Sequence, residues 1–457
     1  MLNSKLLPLG NAGGESYWIL KFEPTTSGNP FLVKSVVSSD GTDDGNIYWY
    51  CSDSSLGHYL IKMDKDGNIS TVVLRSNYYW GNLQIDSSEN VYLIHNTFSG
   101  SYRTTVLKFN SNLVLQSQYE YTTSGANPAS YNPANDIYNN DLYLSNNYSD
   151  FYPGKRPTAF VVDGATLGLV GTPYSYLSID DQQPRALKVD NGGNIWIHSN
   201  FRNPGGSDAP TLLKFGTNFS TVSFVQQLGS NSGYGQDLDF DASNNVYVCG
   251  KYENGYPNVQ DNYVAKFNSS GTLQWHNTLK LQGDANYGDT FSGGDGTIST
   301  FSIGQNTTAV YTVTPGYQNV QANFNDYNIT KWNSSTGAFV ESYGISCTTT
   351  SPGWKDPQNR NNTHCMTTET AVYIPGKDQA NNFYLMKLPL ESASGIYGNY
   401  TLDGVSFKIG ANNAVVGTTS SSWNTQSSST TARTFTAASA SYGSSSTPAY
   451  TTFKQDL

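Results

Sequence analysis

The sequence has few charged residues and few of the residues that usually carry chemistry. Asp, Glu, Lys and Arg make up 13% of the 457 residues, whereas an ordinary globular protein contains about 25%. The four cysteines form no Cys-x-x-Cys pair, which argues against a structural zinc site. All apolar runs are much shorter than the roughly 20 residues that cross a bilayer as a helix, so we expect no membrane span.

Positive charge is the scarcer of the two signs. Asp and Glu number 35 and Lys and Arg 25, which gives a net charge of −10. An acidic surface repels phosphate, so we expect no nucleic acid partner. The N-terminal MLNSKLLPLGNAGG has an apolar run broken by Pro8, which does not fit a secretion signal. We therefore expect synthesis in a cytoplasm, where free thiols are favoured, although Cys347 and Cys365 flank one loop and could pair.

Two short patterns alternate along the chain. The first is an apolar strand that ends in Lys and an aromatic or apolar residue, with eight copies from YWILKF (17–22) to YLMKLP (384–389), one of which (AFVVDG, 159–164) has Val for Lys. The second is a turn rich in Gly, Asn and Asp that leads into a β-branched and aromatic strand, with GANNAVVG (410–417) as a possible eighth copy. Seven copies of the second pattern carry the aromatic residues Tyr48, Tyr92, Tyr143, Trp196, Tyr247, Tyr311 and Tyr373.

One complete unit contains four short strands. In the clearest copy these are DLDF (237–240), VYVCG (246–250), YVAKF (263–267) and TLQWHNTLKL (272–281). Asn, Asp and Gly suit the turns between them because they tolerate positive φ and bond their own backbone. Four antiparallel strands repeated every 40–60 residues or so predict an all-β fold, a β-propeller with four-stranded blades.

The two ends of the repeat region each lack a partner. Tyr17–Phe22 has no turn-plus-strand pattern before it, and Val405–Gly417 has no Lys-Phe strand after it. We predict that they pair, so that strands from both ends close a ring of eight blades and remove its sheet edges. The stretch Pro30–Asp40 is short for two strands and an inter-blade turn. A three-stranded closing blade or a ring of seven blades is therefore the alternative.

Composition changes at Thr418. Residues 418–457 hold 21 Ser or Thr in 40 positions, too little apolar surface to offset the entropy of ordering the segment by itself. We divide the chain into a propeller (1–417) and a Ser/Thr-rich assembly tail (418–457). The tail either lies on its own propeller or is clamped by another subunit, and the second interpretation is adopted. Its predicted assembly anchors are the aromatic residues Trp423, Phe435, Tyr442, Tyr450 and Phe453.

The sequence predicts no catalytic, cofactor-binding or metal-binding residues. It has no Walker loop, no Gly-x-Ser-x-Gly and no His-Glu-x-x-His, the short motifs that most often mark nucleotide, acyl-transfer and zinc chemistry. Asp237, Asp239 and Asp241 alternate along one strand and turn, and such carboxylates could bind calcium. Because Asp241 is also the turn residue of the repeat, a structural role is the favoured interpretation.

The repeats VAKFNSSGTLQW (264–275) and DASNNVYVCG (241–250) resemble those of virion proteins from marine tailed bacteriophages, especially phages of cyanobacteria. GIYGNYTLDGVSFKI (395–409), followed by a Ser/Thr/Ala-rich end, is similar to their C-terminal segments. The resemblance implies a non-enzymatic structural or adhesive protein of the virion, made in the host cytoplasm, such as a tail fibre, a tail-associated protein or a capsid decoration. Its implied partners are other virion proteins, reached through the tail, and a glycan or protein of the host surface.

A second class of function stays open. Propellers also serve as carbohydrate-active or cofactor-bearing enzymes. Such an enzyme would need carboxylates or a metal that converge near the central channel, and the repeats show no such set.

Overall fold

The computed structural model describes residues 16–24, 30–38, 45–53, 57–75, 81–98, 102–123, 126–128, 134–150, 155–176, 183–202, 208–229, 233–253, 260–281, 291–293, 297–300, 309–318, 327–347, 365–368, 370–377, 383–390, 393–411, 414–417, 423–425, 430–433, 435–439 and 445–457. These residues form strands joined by turns, with one short 3-10 helix, Ala393–Ile396. No helix among them is long and apolar enough to cross a membrane.

The strands build a seven-bladed β-propeller of four-stranded antiparallel blades. The first strands of neighbouring blades contact one another around the centre of the ring. From first to fourth strand the blades are: blade 1, Pro30–Ser38, Ile47–Asp53, Gly57–Met63, Ile69–Arg75; blade 2, Gly81–Ile85, Val91–Phe98, Tyr102–Phe109, Leu115–Thr123; blade 3, Ala134–Tyr138, Asp141–Asp150, Lys155–Asp163, Leu169–Tyr176; blade 4, Gln183–Val189, Ile195–Arg202, Asp208–Phe215, Val222–Leu228; blade 5, Gly233–Phe240, Val246–Glu253, Gln260–Phe267, Leu273–Leu281; blade 6, Thr297–Thr300, Ala309–Gln318, Tyr327–Asn333, Phe339–Cys347; blade 7, Met366–Thr367, Ala371–Lys377, Phe383–Pro389, Trp18–Pro24. Two short extra strands, Ala126–Pro128 and Phe291–Gly293, extend the sheets of blades 2, 3, 5 and 6.

The seven predicted aromatic residues each lie within the first three positions of a second strand, one to a blade. The propeller prediction is therefore confirmed, with the seven blades of the alternative in place of the preferred eight. The count differs because Tyr17–Phe22 looks like a third strand in sequence but supplies the fourth strand of blade 7. Residues 18–22 are all buried, as in a third strand, because a further strand covers them, whereas the fourth strands Leu169–Tyr176 and Val222–Leu228 are partly exposed.

The predicted pairing of Tyr17–Phe22 with Val405–Gly417 is wrong. The N-terminal strand pairs on one side with Phe383–Pro389 and on the other with Tyr450–Asp456. Strands from both ends do close the ring, but they come from different segments than predicted. Residues 405–411 instead form a hairpin with Gly398–Leu402 that extends the outer edge of blade 6.

After blade 7 the chain travels back around the outside of the ring. We call residues 398–457 the belt, because this segment adds an outer antiparallel strand to every blade in reverse order. After the hairpin on blade 6, the added strands are Ala414–Gly417 on blade 5, Trp423–Thr425 on blade 4, Thr430–Ala432 on blade 3, Phe435–Ser439 on blade 2, Ser445–Ser446 on blade 1 and Tyr450–Asp456 on blade 7.

Aromatic residues of the belt reach into the cores between blades. Phe435 lies on the edge of blade 2, yet its ring stacks on Phe160 of blade 3 with 4.9 Å between centroids. Trp423 lies on the edge of blade 4 and contacts Phe267 of blade 5 edge-on at 5.0 Å. Tyr450 packs on Phe22 at 5.2 Å, within the core between blades 7 and 1. The belt therefore joins neighbouring blades to one another as well as covering their edges.

Phe435 tests whether the belt packs on the ring in solution. It is 9% exposed, and truncating a buried Phe to Ala costs about 3 kcal/mol. We expect Phe435→Ala to lower the free energy of unfolding by about that amount in urea denaturation. Thr436→Ala changes the exposed neighbour on the same strand and should stay within about 0.5 kcal/mol of wild type. Equal effects of the two substitutions would mean that the belt does not pack as described.

Candidate functional site

The turn between first and second strands is built around one aspartate. In blade 4, Asp190 Oδ1 accepts hydrogen bonds from the backbone amides of Gly192 and Asn194, both at 2.9 Å. Its Oδ2 accepts from Trp196 Nε1 at 3.0 Å. Asp86 with Asn90 and Tyr92, and Asp241 with Asn245 and Tyr247, repeat the arrangement. The Asp-x-x-x-Asn-x-aromatic spacing is thus a turn motif that orients the aromatic ring.

The Lys of the repeated Lys-Phe strand binds the next blade, and we call this contact the clasp. In blade 5, Lys266 Nζ lies 4.9 Å from the ring centroid of Tyr247 and donates to the backbone carbonyl of Ser334 in blade 6 at 3.0 Å. Such a contact combines a cation–π interaction with a charge-assisted hydrogen bond. The same donation to the following blade runs from Lys108 to Gly164, from Lys214 to Ser269 and from Lys387 to Lys65, at 2.7, 2.6 and 3.4 Å.

Blade 3 shows what replaces the clasp when Lys is missing. Val161 stands at that position, opposite Tyr143 in the sheet. Tyr143 contacts Phe219 of blade 4 with 6.4 Å between ring centroids. An apolar contact therefore joins blades 3 and 4, whereas a charged contact joins blades 2, 4, 5 and 7 to the blades that follow them. The Lys-Phe signature is a device for packing blades, which explains its repetition along the chain.

The best candidate for a functional site is a polar cluster on the innermost strands. Gln84, Asp136, Lys188 and Asp239 occupy the same register position in blades 2 to 5, each opposite the blade's aromatic residue. Lys188 Nζ lies 2.9 Å from Asp239 Oδ1, which joins blades 4 and 5. Asp136 Oδ2 accepts from the Val189 amide at 2.8 Å, which joins blades 3 and 4.

Burial and neighbouring charges shift the pKa values of Asp136 and Lys188 in this cluster. Burial raises the pKa of Asp136 to about 6, against the opposing effects of the Lys188 charge and the Val189 amide. Burial disfavours the charge of Lys188, but the carboxylates of Asp239, Asp237 and Asp136 outweigh that effect and raise its pKa above the ordinary value. A carboxyl group with a pKa near 6 can exchange protons close to neutral pH. Its oxygen is nevertheless engaged in holding the first strand of blade 4.

A second buried cluster surrounds His198. Its Nδ1 lies 3.1 Å from the Asp237 carbonyl oxygen, and its Nε2 lies 2.9 Å from Tyr263 Oη. Because a carbonyl oxygen accepts only, Nδ1 carries the proton and Tyr263 donates to Nε2. His276 stands edge-on to the Tyr263 ring at 6.0 Å and to the Trp423 ring at 6.4 Å. Burial lowers the pKa of His198 to about 3 and that of His276 to about 4, so both rings are neutral at pH 7.

The structure disperses the aspartates that could have bound calcium. Asp239 pairs with Lys188, whereas both oxygens of Asp241 serve its own turn and Tyr247. Among the described side chains, no three His, Cys, Asp or Glu groups come together in a way that could hold a metal ion. The Cys347 side chain lies outside that part of the chain, so its pairing with Cys365 stays untested.

Four of the five predicted anchors contact the chain's own ring. Trp423, Phe435 and Tyr450 pack between blades as given above, and Phe453 packs beside the core between blades 6 and 7. Tyr442 lies outside the described residues. At these four positions the tail lies on its own propeller, which is the first of the two interpretations. The assembly role of residues 418–457 stays a prediction.

The sequence patterns pointed to Asp239 but not to Asp136 or Lys188. Lys188 could have been found from the position two residues before the turn aspartate, which is polar in blades 2, 4 and 5 (Gln84, Lys188 and Asp239) although it lies on an innermost strand. Blade 3 has no turn aspartate at that spacing, so Asp136 carries no such signal. Recognising this position requires the register of the first strand, which the irregular loop lengths hide.

No family model matches the chain, and neither does any curated protein. Among solved structures, a polysaccharide lyase described as a PL25 ulvan lyase is similar over 82% of this chain and 97% of its own, with 9% identity and a TM-score of 0.49. A subtype N10 neuraminidase-like protein of A/little yellow-shouldered bat/Guatemala covers 80% of this chain and 98% of its own, with 8% identity and a TM-score of 0.36. A eukaryotic initiation factor matches over 82% and 98%, with 10% identity and a TM-score of 0.34. Likenesses this remote carry no inference about function.

Removing one clasp should loosen the contact between two blades. Lys266→Met keeps the aliphatic stem over Tyr247 but removes the charged hydrogen bond to the Ser334 carbonyl and the ion pair with Asp241 at 3.5 Å. We expect a loss of about 2 kcal/mol in the free energy of unfolding. Lys408→Met, at an exposed position, is the control and should have little effect. Thermal and urea unfolding measure both. If the clasp does not stabilise the ring, Lys266→Met and Lys408→Met will have the same free energy of unfolding.

The Asp136 cluster and the His198 cluster respond to pH in opposite directions. His198 and His276 have folded pKa values below the usual 6.5, so their contribution to stability is present above pH 6.5 and is lost as the pH falls toward 4. Asp136 has a raised folded pKa of about 6, so its contribution is present below about pH 4 and is lost as the pH rises through 6.

Variants at these positions should therefore change the slope of stability against pH in opposite ways. Urea midpoints measured from pH 7 to pH 5 should fall less steeply in His198→Gln than in wild type, because a destabilising protonation is removed. The same midpoints should fall more steeply in Asp136→Asn, because a compensating protonation is removed. Parallel slopes in all three proteins would contradict these assignments.

Proposed function

We propose that the chain is a non-enzymatic structural and adhesive protein of a virus particle, such as a tail fibre, a tail-associated protein or a capsid decoration. The observation that carries the proposal is the belt, which adds an outer strand to all seven blades. A ring already closed by its N-terminal strand does not need this addition to complete its blades. A second layer of closure suits a protein that must persist outside a cell, where unfolding is not repaired.

The chemistry of the belt supports the same proposal. Residues 418–457 contain three charged residues, Arg433, Lys454 and Asp456, so the segment is held chiefly by backbone hydrogen bonds and aromatic contacts. Salt screens ion pairs between exposed charges but has little effect on contacts of these kinds. For a particle in salt water, residues 418–457 are therefore held on the ring by contacts that depend little on ionic strength.

The belt is also the surface that a neighbouring protein would meet at the rim of the ring. Among the described residues, each belt strand after the hairpin pairs with a single blade strand, so its second backbone edge faces away from the blade. An added strand or a short peptide can pair with such an edge. We propose that other virion proteins contact the ring through this C-terminal rim, while the face of the propeller serves a glycan or protein of the host surface.

A carbohydrate-active enzyme is the second candidate, and one observation favours it. Asp136 lies on an innermost strand with a pKa near 6, next to Lys188 and in the field of Asp239. A carboxyl group with a raised pKa close to a second carboxyl group is an arrangement that glycosidases use as an acid and base pair. The bonds of these side chains across blades 3, 4 and 5 support the structural interpretation instead.

Purified particles test the location of the protein. Mass spectrometry and gold-labelled antibody should find the chain as a stoichiometric surface component of the phage that encodes it. Its presence in infected-cell extract but not in washed particles would contradict the proposal.

A polysaccharide panel tests the absence of catalysis. The purified full-length chain is incubated with neutral and uronic-acid-containing polysaccharides, while calorimetry reports binding and assays of reducing ends and unsaturated sugars report cleavage. We expect no cleavage, whether or not a glycan binds. Cleavage that disappears in Asp136→Asn or Asp239→Asn, while the folded signal is retained, would establish the enzyme instead.

A further inference from the structure

Three separate segments of the chain contact one lysine at the ring seam, by which we mean the place where the strand Trp18–Pro24 completes blade 7. Lys21 lies on the N-terminal strand and is 4% exposed. Its Nζ bonds Asp403 Oδ2 at 2.5 Å, at the turn of the belt hairpin, and it also pairs with Glu23. The ring of Phe453, on the last belt strand, covers the same ammonium group at 5.3 Å.

The backbone around Lys21 shows why this meeting point matters. The strand Trp18–Pro24 is matched in register with seven residues of Tyr450–Asp456 and with five residues of Phe383–Pro389. The belt therefore holds the closing strand over a longer stretch than blade 7 does. The Leu457 amide extends the pairing by donating to the Tyr17 carbonyl at 2.9 Å. The closing strand is therefore paired along both of its edges only when Tyr450–Asp456 has docked.

The charge pair is arranged to hold that docking. Asp403 adopts a left-handed conformation (φ 47°) and Gly404 follows at φ 78°, a turn that fixes the carboxylate at the tip of the hairpin. Lys21 is buried, and Asp403 and Glu23 are 38% and 31% exposed. A buried ammonium that loses one of its two carboxylates is less well compensated, which is costly. Peeling the last belt strand uncovers Lys21, and moving the hairpin removes Asp403.

We propose that Lys21, Asp403 and Phe453 form a latch that locks the ring, by coupling the N-terminal strand, the belt hairpin and the C-terminal strand into one opening unit. Unfolding then cannot begin by separate fraying of either chain end. Because Phe453 is synthesised long after Lys21, the latch closes only once the belt strand Tyr450–Asp456 has been made. The device concerns how the ring persists and does not depend on the proposed role in a virion.

Lys21→Met and Asp403→Asn test the latch. Asn keeps the left-handed turn because it tolerates positive φ, so Asp403→Asn removes charge without straining the hairpin. The control pair is Lys454→Met and Asp456→Asn, which removes the neighbouring ion pair on the last belt strand, where the side chains are 30% and 75% exposed. Lys21→Arg preserves the charge and serves as a second variant that should fold.

Hydrogen exchange followed by mass spectrometry supplies the local readout. We expect exchange in 18–24 and 450–456 to rise by about tenfold or more in Lys21→Met and less in Asp403→Asn, with Lys21→Arg close to wild type. Exchange in Leu115–Thr123 and Phe435–Ser439, the matching pair on blade 2, should not change. The double variant should add little to Lys21→Met, because one interaction is lost in both.

Unfolding kinetics complete the test. The rate of unfolding in guanidinium should rise about tenfold in Lys21→Met and hardly at all in the control pair. A uniform rise of exchange across all blades would assign Lys21 a general structural role and overturn the latch. An effect no larger than that of the control pair would overturn it as well. Should Lys21→Met not fold, additive effects of Asp403→Asn and Phe453→Leu on seam exchange would overturn the coupling.

Discussion

The structure depends on one strand finding its place. Trp18–Pro24 completes blade 7, and it does so between two segments that lie more than 360 positions further along the chain. Once this strand is paired, every blade of the ring is complete. Until then, blades 1 and 7 lack the contacts that this strand makes between them. Non-local pairing of this kind is entropically expensive to form. The belt, the clasps and the latch can all be understood as compensation for that cost.

The few charged residues serve the same purpose of holding the ring together. In a chain with 13% charged residues, most of the aspartates and lysines of the repeat are committed to a turn or to the next blade. Asp190 orders its turn and Trp196, and Lys266 joins Tyr247 to the carbonyl of Ser334. Charged side chains that would be expected on the surface from the sequence therefore make contacts within and between blades. In these blades, charged groups stabilise turns and join neighbouring blades.

The parts that could be predicted from sequence are those with a local physical cause. Turn chemistry and alternating apolar residues indicated four-stranded blades, and Tyr48, Tyr92 and their equivalents marked each second strand. The blade count was ambiguous because Tyr17–Phe22 has the pattern of a third strand and the position of a fourth. The path of the belt was not predictable, since an outer strand needs backbone partners and a few aromatic residues but no pattern of its own. The Asp136–Lys188–Asp239 cluster was missed because its members lie in separate repeats and meet only through the ring.

Native-state hydrogen exchange of the wild-type protein tests the central claim that the seam is not the weak point of the ring. The free energy of opening is measured for the amides of Trp18–Pro24 and compared with that of global unfolding, as guanidinium is added below the transition. If the belt locks the closing strand, these amides open only with the whole ring, and the two free energies agree. If the strand opens at a lower free energy while the other blades stay protected, the belt does not lock the ring and the account is wrong.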